Sequence, residues 1–183
     1  MSPRTVAFLR AINVGGHTAR SEALRQAAES AGLRGVETFL ASGNLLFDGD
    51  PGPTLANRLG TALQDVLGYE VTVFLRRAEE VVTIAHQRPF PESDLAEAGT
   101  FCVGFLDSPL DDVAERTLLG FRTREDDFRV SGREFFWLSR VRQSESAFRA
   151  GAFERAGGLR TTLRGMKTLE RLAERLEPGA RTP

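Results

Sequence analysis

One cysteine in 183 residues allows no internal disulfide, so an oxidising compartment is not expected. Lysine is almost missing: Lys167 stands against 23 arginines, the imbalance that the codons of a GC-rich genome produce. Arginine in such excess also suits bidentate contact with carboxylate or phosphate. No apolar run nears the roughly 20 residues that cross a bilayer. The opening MSPRTVAFLR lacks the long apolar core and small-residue cleavage site of a signal peptide. A cytoplasmic protein with no membrane contact is therefore predicted, with a monomer as the default. The two histidines, His17 and His86, stand apart, without metal-ligand spacing to Cys, His or acidic residues, so no metal site is predicted. The spacings of a Walker loop, a dinucleotide fingerprint and a nucleophile elbow are all absent. Catalysis and cofactor stay open.

What is present fits one sizeable domain or two small ones: 41% hydrophobic residues, 27% charged, net charge −1. The charge is unevenly spread. Residues 1–121 carry 10 basic and 16 acidic side chains, whereas residues 122–183 carry 14 and 9. Most of the basic excess lies between Ser139 and Lys167. Such an asymmetry can recruit an anion but is too mild for a dedicated DNA-binding domain.

The pattern along the chain predicts two similar halves. Thr5–Ala11 reads as a buried strand, and Leu24, Ala27, Ala28 and Ala31 have helical spacing, with Thr18 or Ser21 as cap. Glu37–Leu40 and Leu45–Phe47 read as strands around the turn residues Ser42-Gly43-Asn44. Leu55, Leu59, Leu63 and Leu67 form an i, i+4 stripe ended by Gly68, and Glu70–Leu75 is a strand. That order, β-α-β-β-α-β, is the ferredoxin-like unit. After a short helix over 79–85, Arg88-Pro89-Phe90-Pro91 marks a boundary. Thr100–Leu106, a helix ending at Leu119, a hairpin around Ser131-Gly132 and a helix through Phe148–Ala156 repeat the order. A terminal helix follows, with Thr161 or Thr162 as its N-cap. The expected fold is α+β: two tandem ferredoxin-like subdomains with antiparallel sheets and a C-terminal helix, divided as 1–87 and 88–183.

Three polar segments carry the candidate site. Asn13-Val14-Gly15-Gly16 follows the first strand, where glycines expose backbone N–H groups to an anion or simply make a tight turn. Arg10 sits in the apolar strand before it and needs a partner or an open surface. Ser42, Gly43 and Asn44 present a hydroxyl and an amide, or serve only as a hairpin turn. Thr161, Thr162, Arg164 and Lys167 gather hydroxyls and cations at the expected start of the last helix, which suits a phosphate or carboxylate or is simply a capped helix with solvated charges. Cys102 reads as a small buried hydrophobe, and Phe135-Phe136-Trp137 as core. The adjacent pairs Asp111-Asp112 and Asp126-Asp127 diverge on any regular element and support no metal. The strand around Arg10 and the hairpin lack the basic-glycine-aromatic motif of RNA-recognition modules.

These segments resemble a known family. Phe8–Gly16, FLRAINVGG, resembles the LLRGINVGG opening of the bacterial domain-of-unknown-function family 1697. Leu40–Phe47 is similar to its QSGNVVF segment, and Thr162–Leu169 to its TTRNWNTV segment. The resemblance implies two ferredoxin-like subdomains and no established activity. By motif match it carries Arg10, Asn13, Gly15, Gly16, Ser42, Gly43, Asn44, Thr162, Arg164 and Thr168 as candidate ligand-binding residues. Ala11 replaces the family's usual glycine, read as a mild change. His17 stands where lysine is common, and Gly165-Met166 replace Asn-Trp. The expected function is binding of a small molecule or nucleotide phosphate between the two halves, Arg10 and Arg164 pairing with the anion. An enzyme acting on that ligand, and a nucleic-acid or protein interaction module using residues 139–167, are the alternatives.

Overall fold

β1 (Arg4–Arg10) is buried from Thr5 to Leu9, so it is covered on both faces, as its unbroken apolar run requires. In the computed structural model, which describes residues 3–12, 19–40 and 43–177, β1 is a central strand of a four-stranded sheet. The other strands are β2 (Arg34–Phe39), β3 (Asn44–Asp48) and β4 (Thr72–Arg77), in the order β2-β3-β1-β4, all antiparallel. α1 (Ser21–Ser30) and α2 (Leu55–Leu67) pack together over one face. Ala7 and Leu9 of β1 meet Leu24, Ala28, Leu59 and Leu63 there, which is why the leucine stripe of α2 recurs every four residues. α1 starts at Ser21 with Arg20 as N-cap and no side-chain cap, so Ser21 is helical rather than capping; Thr18 lies outside the described residues. α3 (Ala78–His86) follows β4 directly.

The second sheet repeats the first. β5 (Thr100–Phe105), β6 (Asp126–Ser131), β7 (Glu134–Ser139) and β8 (Thr162–Gly165) run in the order β6-β7-β5-β8, again antiparallel. α4 (Glu92–Ala96) is a short turn of helix after Pro91. α5 (Asp112–Leu119) and α6 (Ala150–Gly157) pack together beside this sheet, and α7 (Met166–Leu176) follows β8. Phe128, Phe135, Trp137, Phe148 and Phe153 fill this core with Leu118 and Cys102. Burial pushes the Cys102 thiol up to about 11, so it acts as a small hydrophobe. Asp111 caps α5 through Val113 N–H and Ala114 N–H, at 3.1 and 2.8 Å, a structural use for one of the paired aspartates.

Thr161 and Thr162 do not cap the last helix, contrary to the sequence expectation: Thr162–Gly165 is strand β8 and the helix begins at Met166. Register decides it, because Thr162 pairs with Phe105 and Arg164 with Val103, completing the fourth strand of the second unit. By contact, the chain up to Ile84 forms one compact unit together with residues from Leu172 onward, and Ala85–Arg171 forms the other.

Candidate functional site

The first two motifs meet because β1 and β3 are neighbours. Phe8 pairs with Asn44, and Leu9 N–H donates to the Gly43 carbonyl at 2.8 Å. Arg10, half-buried, is the last residue of β1 and lies opposite Thr72 of β4. Gly43 has φ +73°, and a Cβ there would stand 3.1 Å from Ile12 Cβ, so both backbone conformation and space favour glycine. Asn44 is buried, and its Nδ2 donates to the Phe39 carbonyl at 3.0 Å, tying the end of β2 to the start of β3. Asn44 is thus the first residue of β3, and its side chain closes the hairpin. Asn13, Gly15, Gly16, His17 and Ser42 lie outside the described residues.

Backbone strain is concentrated at these two motifs. Among the described residues, the non-glycine positions with positive φ are Ala11 (69°) and Leu40 (55°), one just after β1 and one just after β2. A left-handed L-residue costs roughly 1–2 kcal/mol, and such strain persists only where surrounding structure imposes it. An alanine at position 11 is thus a costlier choice than the sequence suggested. Ala11→Gly is expected to stabilise the protein by about 1 kcal/mol, read as a raised Tm, after the entropy of the extra glycine is deducted. An unchanged or lowered Tm would show that the left-handed turn is not held in solution.

The third motif lies in the second unit. Arg164 is only 7% exposed, and burial lowers its pKa to about 10, which leaves it charged at neutral pH. Its Nη1 donates at 2.8 Å to both Thr162 Oγ1 and the Leu163 carbonyl, inside its own strand. Thr161 Oγ1 donates to the Phe105 carbonyl at 2.9 Å, and its N–H donates to Glu154 Oε1 at 2.8 Å. Thr168 is half-buried on α7, and Met166 is buried and serves as packing.

Three buried positions escaped the sequence reading. Arg76 of β4 is 1% exposed, and its Nη1 donates to the Leu75 carbonyl at 2.8 Å. Its signal was the one that singled out Arg10, a cation in an apolar strand. Asp126 is 2% exposed and accepts from Trp137 Nε1 at 2.9 Å, Ser146 Oγ at 2.7 Å and Thr123 Oγ1 at 3.0 Å. Burial pushes its pKa up, but the donors Ser146, Trp137, Ser139 and Thr123 outweigh this and hold it below the ordinary carboxylate value. Gly104 faces the Phe135 ring; lone glycines in strands carry that meaning.

Other functional classes gain little. On the sheet faces away from the core helices Phe8, Phe74, Phe105 and Phe136 are fully buried, whereas Phe39 and Phe101 are half-buried. Among the described residues no three His, Cys, Asp or Glu side chains gather as a metal site, and no helix is long and apolar enough to cross a membrane. A cleft of about 800 Å³ between α1 and α2, and one of about 340 Å³ beside α5, contain none of the motif residues.

Comparison with known proteins gives a family and a fold. A family model described as "Protein of unknown function (DUF1697)" matches residues 2–136, a span that includes the first two motifs and ends before the third. No curated protein matches the chain. A conserved bacterial protein from Streptococcus pneumoniae is similar in structure, with a TM-score of 0.70 at 20% identity, over 96% of this chain and 99% of that one. At that identity the likeness carries the fold alone.

Proposed function

Because the chain belongs to the DUF1697 family, whose description assigns no activity, we propose from its own residues that the protein binds a small anionic ligand, a phosphorylated or carboxylate compound. The site is the end of the first sheet where β1 and β3 meet. One observation carries the reading: β1–β3 pairing sets Arg10 two residues beyond the Phe8–Asn44 pair, between two turns that hold left-handed non-glycine residues. Arg10 supplies the cation, and a guanidinium matches phosphate or carboxylate with two parallel N–H groups. Asn44 acts one step back, holding the hairpin rather than the ligand. Asn13, Gly15, Gly16 and Ser42 join the site by sequence motif, the glycines as backbone donors. Thr162, Arg164 and Thr168 are assigned to it only through the third motif.

The test is calorimetric titration of the full chain with inorganic phosphate, pyrophosphate and AMP. Arg10→Ala is expected to weaken binding of whichever of these is taken by at least about tenfold, the loss of one charge-assisted pair. Arg164→Ala run alongside tells whether the third motif contributes. Unaltered affinity in Arg10→Ala, or no binding of any of the three anions, rejects the reading.

A further inference from the structure

Leu40 is a large apolar side chain left 40% exposed, in a backbone conformation that leucine disfavours. The other large hydrophobics that stand open among the described residues, Val66 and Val113, lie within α2 and α5, where the backbone is ordinary. Neither the turn nor the core accounts for a leucine at position 40. The turn does not need it, since φ +55° is satisfied by glycine or asparagine at lower cost. The core does not need it, since Leu40 is absent from the apolar cluster that takes up Ile12 and Val36 nearby. Yet the position is held. Asn44 Nδ2 donates to the carbonyl of Phe39, so the peptide entering Leu40 is anchored by a buried motif residue.

β2 is parallel to β1, and β3 lies between them, so Leu40 and Arg10 emerge at the same end of the sheet, two strands apart. That lateral spacing is about 10 Å. We infer that Leu40 is a specificity-determining residue that contacts an apolar group attached to the anion, so that the site takes an aryl or alkyl phosphate or carboxylate in preference to a bare inorganic anion. The inference rests on the anion reading above and adds the other half of the ligand. The strain at Leu40 is then retained because it keeps an apolar surface exposed at the sheet end that also carries Arg10.

Calorimetry with inorganic phosphate and phenyl phosphate tests it, on the wild-type chain and on Leu40→Gly. The wild type is expected to prefer phenyl phosphate by about tenfold, the worth of one partly buried leucine contact. Leu40→Gly should keep its affinity for inorganic phosphate and lose the preference, while its Tm rises as the strain is relieved. Phosphate binding without a preference in the wild type, or a preference undiminished in Leu40→Gly, overturns this inference and leaves the anion reading standing. No binding of either probe to the wild type overturns both.

Discussion

Gly104→Ala is expected to destabilise the second unit by about 3 kcal/mol, near the upper end for an overpacked core. Gly104 pairs directly with Phe135 across β5 and β7. A Cβ at Gly104 would lie 2.2 Å from two carbons of the Phe135 ring. The ring cannot step aside cheaply. It is fully buried, with the Phe153 ring 5.6 Å away edge-on and the Phe128 and Phe148 rings both at 6.5 Å. Trp137 is the sole tryptophan and sits in the same core, so its fluorescence in a urea titration reports this unit. A lower midpoint at unchanged slope is the expected signature. Phe135→Leu in the Gly104→Ala background should recover part of the loss, and a double-mutant cycle measures the coupling. A midpoint equal to wild type for Gly104→Ala would show that the ring does not lie over the glycine.

Asp126→Ala is expected to cost about 3–4 kcal/mol, because it strands polar groups in the same interior. Trp137 Nε1–H and the Ser146 hydroxyl lose their acceptor. Ser146 Oγ also accepts from Phe148 N–H at 2.9 Å, so the damage reaches the segment that seats the Phe148 ring 5.0 Å from Trp137. Asp126→Asn keeps the shape and one acceptor and should cost less. The pH dependence has a definite sign. Folding lowers the pKa of Asp126, so the unfolded chain takes up the proton more readily. The carboxylate's stabilisation is complete above its ordinary value of 3.8 and disappears as pH falls through the lower folded value. Asp127 shifts the same way: burial raises it, but the Arg129 hydrogen bond, the Phe128 N–H and the charges of Arg129 and Arg122 prevail. Stability of Asp126→Asn should therefore fall less steeply below pH 3.8 than that of the wild type. Parallel acid limbs would show that Asp126 does not contribute to the acid sensitivity.

The sequence made most of the architecture legible where periodicity was long enough to read. The stripe Leu55, Leu59, Leu63 gave α2, and the run through Phe8 gave a central strand. It misled at Thr162–Gly165, since four residues are too few to show alternation and two threonines before an apolar helix imitate a cap. The five-residue α4 was too short to show a period. At the candidate site, motif order pointed to Arg10 and Asn44, but strain at Ala11 and Leu40 is a property of φ, which no residue name discloses. Asp126 was hidden for another reason. Its donors Trp137 and Ser146 lie 11 and 20 residues away, a distance bridged only by tertiary structure.

The first unit is discontinuous in sequence: it includes the chain up to Ile84 and again from Leu172. Glu37 of β2 accepts from Arg175 of α7 at 3.1 Å, across 138 residues. On a ribosome, this unit is begun first and completed last. Its four strands, all within Arg4–Arg77, emerge early and can pair at once, and Ala85–Arg171 then emerges as one stretch. At roughly 5–20 residues per second, Arg175 reaches Glu37 several seconds after the strand it joins has been made. The last turn of α7 is thus a late addition to a sheet already in place.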